Sequence, residues 1–380
     1  MLSNSVTASF FGSGAQRNGR KRLAVTELPR ELPLGLMEPS GTDEKGLSPN
    51  YPRYLGENVM SKPKVGFYWC ASCGGCEEAI VDLAADILGV VAAVDIVFWP
   101  CAMDFKREDV EAMADGEMAV CFVNGAVRTS EQLEMAELLR RKAGLVVAFG
   151  SCAHTGGIPG LANLYSREGV LAAAYDTAFS TLNPEGMRPQ TAYAAPEGTV
   201  TLPELHETVK KLDQVIPVDY YLPGCPPPVK LITGALGAIL EGKLPPKGSI
   251  LAPEIALCSE CPRRDSKPEK LDFTEFKRPH QIIADPELCL LAQGLLCLGP
   301  STRAGCDAAC IKGNMPCTGC GGPLEGSKDF GANALSAAAS ALEATDDASI
   351  AVGLAEVPDP AGAFYRYSLP ASLLYAKKGN

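Results

Sequence analysis

Five short apolar runs punctuate the first two thirds of the chain: KVGFYW (64–69), VDIVFW (94–99), MAVCFVNG (118–125), GLVVAFG (144–150) and VDYYLPG (218–224). They lack the strict alternation of a half-solvated strand and are rich in Val, Phe and Tyr. They predict parallel strands covered on both faces. Between them the pattern becomes helical. Glu77–Val91 predicts one helix, and SEQLEMAELLRRKAG (130–144) predicts another, with Leu133, Ala136, Leu138 and Leu139 on one side, Ser130 as N-cap and Gly144 as C-cap. Repeated strand–helix–strand units predict an α/β domain over residues 62–245, a doubly wound parallel sheet of flavodoxin-like type.

Near LPPKGSILAPEIALC (244–258) this order ends. Pro and Gly accumulate, apolar periodicity weakens, and eight of the fifteen cysteines fall between residues 258 and 320. Residues 246–325 therefore read as an irregular, cysteine-rich domain in which metal–ligand bonds substitute for missing apolar burial. Beyond it, ANALSAAASALEA (332–344) predicts a helix within a C-terminal segment, 326–380. Residues 1–61, rich in Gly, Ser, Pro and charge, read as a flexible N-terminal extension.

Composition narrows the function. A net charge of −11 argues against nucleic acid or an anionic membrane surface as the main partner. No run of about 18 uncharged apolar residues predicts a membrane span, and no export signal precedes the domain, so a cytoplasmic protein is expected. Fifteen cysteines against three histidines is the unusual balance. The count is odd and the chain long, which is unlike a secreted disulfide scaffold, so the thiols read as metal ligands.

In an open parallel sheet, ligands gather at the carboxyl ends of the strands. CASCGGC (70–76) follows the first strand, FGSCAHTGG places Cys152 after the fourth, and YLPGCPPP places Cys225 after the fifth. Two of Cys70, Cys73 and Cys76, together with Cys152 and Cys225, make four thiolates converging on one point. Zinc usually takes two compact pairs. A pair plus two singletons is the habit of iron–sulfur sites, which favours a 4Fe–4S cluster.

The combination C-x-G-C after the first strand, G-S-C-A followed by G-G, and P-G-C-P-P resembles the small subunit of nickel–iron hydrogenases. The closest resemblance is to the cytoplasmic methyl-viologen-reducing (deazaflavin-non-reducing) type, over about residues 62–325; the related complex I subunit shares the later two motifs. The resemblance implies a proximal cluster on Cys73, Cys76, Cys152 and Cys225, leaving Cys70 aside. CSECPRR and CLLAQGLLCLGP resemble the distal-cluster segment, implying Cys258, Cys261, Cys289 and Cys297, with Cys258 where uptake enzymes have histidine. GCDAACIKGNMPCTGCGGP resembles the medial-cluster segment, implying Cys306, Cys310, Cys317 and Cys320, with Cys310 where many uptake enzymes have proline.

Three 4Fe–4S clusters on twelve thiolates are thus implied. They would relay electrons between the nickel–iron site of a separate large subunit and a redox partner, by resemblance heterodisulfide reductase reached through a 2Fe–2S subunit. The competing readings are an iron–sulfur carrier or complex I-like subunit without hydrogenase activity, and a zinc-stabilised structural module. Of the remaining cysteines, Cys101 and Cys121 lie in strand patterns and read as core. Glu77 and Glu78 read as helix-terminus carboxylates, Glu78 with a second role open to it facing the large subunit. His154 reads as either a cluster-tuning histidine or a solvated or capping one.

Overall fold

The computed structural model describes residues 62–376 apart from Asp272, Thr345, Glu356 and Pro358. The expected N-terminal extension, 1–61, lies outside the described residues. Each of the five apolar runs forms a strand: β1 (Lys64–Trp69), β2 (Asp95–Phe98), β3 (Met118–Asn124), β4 (Ala143–Phe149) and β5 (Tyr220–Leu222). They pair in parallel in the order β2-β1-β3-β4-β5, which is the flavodoxin-like order.

The sheet is covered on both faces, which explains its continuous apolar strands. On one face, helices α1 (Gly75–Val81), α2 (Ile87–Ala93) and α5 (Val229–Leu240) pack with Val65, Phe67, Phe122 and Phe149. On the other, α3 (Ser130–Lys142) presents Met135, Ala136, Leu138 and Leu139 to Cys121, Val123 and Val146.

Local details depart from the sequence expectation in three places. The helix expected over 77–91 breaks into α1, a 3-10 turn at Ala84–Asp86, and α2, with Ala84 at φ 51°. Alanine carries no breaking signal, so nothing in the pattern announces it. Helix α3 is capped by Thr129, whose hydroxyl accepts from the Gln132 amide while the Gln132 side chain accepts from the Thr129 amide. Its carboxyl end is Lys142, because Ala143 is already extended and Gly144 belongs to β4.

The connection from β4 to β5 carries a peripheral excursion. The strand Leu205–Lys210 pairs antiparallel with Val127–Thr129, and a hairpin joins Ala192–Ala195 to Gly198–Thr201. This excursion exposes many large apolar side chains, among them Ile158, Leu164, Tyr165, Phe179 and Leu182.

The cysteine-rich segment is built largely of turns, with two small apolar clusters. One gathers Leu257, Leu290, Leu295 and Ile311. The other joins Phe276, Leu291 and Leu298 to Phe330 and Ala334 of helix α6 (Phe330–Ala339) and to Phe364, so the C-terminal segment shares its core with the cysteine-rich one.

Candidate metal centres

The three strand-end loops meet above β1, β4 and β5. The loop after β4 is tied to the loop after β5, since the Gly150 amide donates to Leu222 (2.8 Å) and the Ser151 amide to Gly224 (2.7 Å). Gly150 has φ +86°, and a Cβ on it would stand 2.4 Å from the Cys76 sulfur; at Gly157, φ +57°, a Cβ would stand 2.4 Å from the Cys152 sulfur. Glycine is required at both because the backbone passes directly against a sulfur.

Cys73, Cys76, Cys152 and Cys225 form one electrostatic group. Burial pushes the Cys76 thiol up, and charge on Cys152, Cys225 and Cys73 pushes it further. Cys152 is pushed up to about 12 by burial and then by Cys225 and Cys73, against an amide bond from Ile158. Cys73 is exposed, whereas Cys76 and Cys152 are buried. Cys70 belongs elsewhere. It lies in the core on the α3 side of the sheet, where burial raises its thiol to about 12 and its charge acts on Cys121.

Cys306, Cys310, Cys317 and Cys320 line a single cavity of about 340 Å³, with Cys225, Pro226 and Ile311 also in its walls. The donor set and the unfilled apolar volume fit a group bulkier than an ion. Burial raises Cys317, with Cys297 and Cys320 adding to it; Cys320 is raised to about 11 by burial, with Cys306, Cys225 and Cys310 among its charged neighbours. Cys258, Cys261, Cys289 and Cys297 make the third group. Cys258 rises to about 11 through burial and then Cys297, Lys267 opposing, with Cys289 and Cys261 adding to the rise. Gly299 lies under this group, a Cβ there meeting the Cys258 and Cys297 sulfurs at 3.5 and 3.6 Å.

Thiols raised by one another are in an environment that a bound cationic group reverses, because a coordinating thiol is deprotonated outright. Among the described residues, no three His, Cys, Asp or Glu side chains stand close enough to hold one metal ion.

Adjacent groups are joined by hydrogen bonds. The Ser151 hydroxyl, next to Cys152, donates to the Cys320 carbonyl at 2.7 Å. The Cys317 amide donates to the Cys297 sulfur, 3.4 Å away. Cys225 shares the walls of one cavity with Cys320.

Several important residues carry no signal in the sequence pattern. Arg263 is 6% exposed and donates to the carbonyls of Asp285, Leu288 and Ile311 and to Asn314 Oδ1. Glu260 accepts the amides of Gly305 (2.9 Å) and Cys306 (3.1 Å). Both sit in CSECPRR, where the cysteines are the visible signal.

Three expectations need correction. Cys101 is not core: it is exposed in the turn after β2, its thiol raised to about 11 by partial burial and by the Glu77 carboxylate. Glu77 does more than face a helix terminus, since it is buried and accepts from Trp99 Nε1 and Asn124 Nδ2; Glu78 is exposed. His154 is buried rather than solvated. Its ring packs on Tyr221 and lines a polar cavity with Lys211, Asp213 and Ser368, and burial depresses it to about 3.

Comparison with known proteins identifies the family. Residues 73–239 match the family described as NADH ubiquinone oxidoreductase, 20 Kd subunit. The F420-non-reducing hydrogenase iron-sulfur subunit of Archaeoglobus profundus is 40% identical over 317 residues, covering 83% of this chain and 98% of that protein. A subunit of the F420-non-reducing hydrogenase of Methanothermobacter thermautotrophicus is 37% identical over 322 residues, covering 84% and 98%. Among solved structures, the [NiFeSe] hydrogenase of Desulfovibrio vulgaris Hildenborough aligns at 18% identity over 71% of this chain and 96% of that one, with a TM-score of 0.45. Identity of 37–40% over nearly the whole length of its relatives means that the chain belongs to the family of F420-non-reducing hydrogenase iron–sulfur subunits, which are hydrogenase small subunits.

Proposed function

We propose that the chain binds three 4Fe–4S clusters and relays electrons between a nickel–iron large subunit and a 2Fe–2S subunit that serves heterodisulfide reductase, in the cytoplasm. Cys73, Cys76, Cys152 and Cys225 would hold the proximal cluster, Cys306, Cys310, Cys317 and Cys320 the medial, and Cys258, Cys261, Cys289 and Cys297 the distal. The observation that carries this reading is the run of hydrogen bonds between groups, from Ser151 beside Cys152 to the Cys320 carbonyl and from the Cys317 amide to the Cys297 sulfur, which strings the three groups in one order. Bound there, the clusters supply one-electron carriers in series.

The protein's part is to space, bury and polarise them. All twelve proposed ligands are thiolates, which favours low potentials, and amides moderate this by donating to sulfur: Gly75 to Cys73 and Cys317 to Cys297, each at 3.4 Å. A pair of thiols and two singletons, as in Cys73, Cys76, Cys152 and Cys225, is the ligand habit of iron–sulfur sites rather than of zinc.

The proximal group adjoins the apolar surface. Trp69, which packs over Gly74, is 41% exposed beside Cys73, and Ile158, the amide partner of Cys152, is 51% exposed. Exposed apolar side chains of this kind near the proximal group suit contact with the large subunit. No helix among the described residues is long and apolar enough to cross a membrane.

Anaerobic purification of the complex, with iron, sulfide and nickel quantified, tests the reading. About twelve irons per chain are expected, with a nickel-containing partner. Zinc in place of iron, or iron near four per chain, would refute it.

A further inference from the structure

Residues 359–372 run across two of the three cysteine groups. Phe364 anchors this strap in the core beside Phe276 and Phe330. Tyr365 covers Gly331, where a Cβ would stand 2.3 Å from its ring, and Pro370 occupies a seat formed by Gly156 and Gly160, where added Cβ atoms would stand 2.2 and 2.3 Å from it. Gln214 Nε2 donates to the Pro370 carbonyl at 2.9 Å.

Tyr367 is the point at which the strap touches both groups. Its carbonyl accepts from Thr155 Oγ1 (2.6 Å) and from the Gly157 amide (3.0 Å), three and five residues past Cys152. Its hydroxyl lies 3.2 Å from Thr318 Oγ1, in the loop between Cys317 and Cys320. Backbone is fixed to one ligand loop and side chain to the other. Burial raises the phenol and the Thr318 bond opposes this, with charge on Cys320 and Cys225 raising it further.

We propose that Tyr367 is a positioning residue for the relay: acting with Thr318, its hydroxyl polarises the gap between the proximal and medial cysteine groups and raises the reduction potential of the medial one. The proposal rests on the cluster assignment above. The physical ground is cooperativity between donors. Thr318 lines the cavity shared by Cys306, Cys310, Cys317 and Cys320. With the phenol donating to Thr318 Oγ1, the threonine hydroxyl is polarised and keeps its own hydrogen for that cavity, where a donor stabilises the more negative, reduced state.

The test is a redox titration of the anaerobically purified complex, followed by electron paramagnetic resonance, with iron content measured alongside. In Tyr367→Phe the medial midpoint is expected to fall, its reduction equilibrium weakening about three- to tenfold, the upper end being 59 mV for one electron. The distal midpoint and the iron content are expected to stay unchanged. Thr318→Val, which leaves the tyrosine in place, is expected to shift the medial site in the same direction. The double variant is expected to go no further than the larger single shift, because the two hydroxyls act as a unit.

An unchanged medial midpoint in Tyr367→Phe overturns the proposal. So does an equal shift at all three sites, or iron loss in both single variants, either of which makes the contact purely structural. Absence of any medial signal from the unsubstituted complex instead overturns the cluster assignment, and this proposal with it.

Discussion

Replacing Arg263 by methionine tests whether the cysteine-rich segment is held by its polar interior as well as by its ligands. Methionine keeps the length and loses the fork. Four acceptors lose their donor: the carbonyls of Asp285 and Leu288 at 3.3 Å, that of Ile311 at 3.1 Å and Asn314 Oδ1 at 2.8 Å. The first two bonds are long and their residues exposed, so water replaces them at small cost. The other two are better formed. Charge-assisted bonds of this kind contribute about 1.5–3 kcal/mol each, so the substitution is expected to cost about 3–5 kcal/mol. A loss of that size is a large share of the stability of a typical domain, about 5–15 kcal/mol.

Because Arg263 links the chain just past Cys261 to the segment between Cys310 and Cys317, the damage falls on the second and third groups. The assay is thermal unfolding of the anaerobic protein, with proteolytic fragments mapped. Arg263→Met is expected to melt about 10 °C lower and to be cut first within residues 258–320, leaving 64–240 intact. Arg263→Lys keeps the charge but offers a point rather than a planar fork, and is expected to fall between. A methionine variant melting within about 2 °C of the parent, with the same cleavage pattern, would refute the reasoning.

Cys70→Ser is expected to leave the iron content unchanged, whereas Cys73→Ser loses about four irons per chain; the reverse result would mean that the ligands are misassigned. Cys310→Ala is expected to convert the medial site to a 3Fe–4S centre, visible by electron paramagnetic resonance in the oxidised protein, and an unaltered spectrum would make Cys310 a bystander. Gly150→Ala combines a disfavoured φ with a Cβ on the Cys76 sulfur; strain of about 1–3 kcal/mol and loss of proximal iron are expected, to be read by iron analysis. Asp219 accepts from Arg140, Lys247 and the Val146 amide. Burial pulls its carboxyl up, but these bonds win and hold it below the usual range. Its stabilisation is therefore fully present above the unfolded value of about 3.9 and lost as pH falls from there through the lowered folded value; acid unfolding curves of Asp219→Asn and parent should approach one another below about pH 3.9, and parallel curves would contradict this.

The sheet was legible because strands buried on two faces must be apolar throughout, a pattern that survives without any partner in view. All five runs became strands of one parallel sheet. The gathering of cysteines was legible from strand ends and C-x-x-C spacing. What stayed hidden depends on contacts distant along the chain. Arg263 looks like any surface arginine until its four acceptors are known, and Tyr367 lies 142 residues beyond Cys225 in an undistinguished tail. Cys101 misled because Trp99 ends its apolar run in the core while the next two residues turn outward to solvent. The excursion between β4 and β5 is apolar but exposed, so its hydrophobicity signals a surface rather than an interior.

The strap has a consequence for how the protein is made. Residues 359–372 follow all twelve proposed ligands in the chain, so every one of those cysteines is synthesised before the strap. The glycine seat for Pro370 begins four residues after Cys152, and the hydroxyl contact of Tyr367 lies within the last C-x-x-C. Chain order and contact order therefore run opposite ways: the last segment made packs against loops made some two hundred and some fifty residues earlier, so removing residues 359–372 would uncover both loops at once.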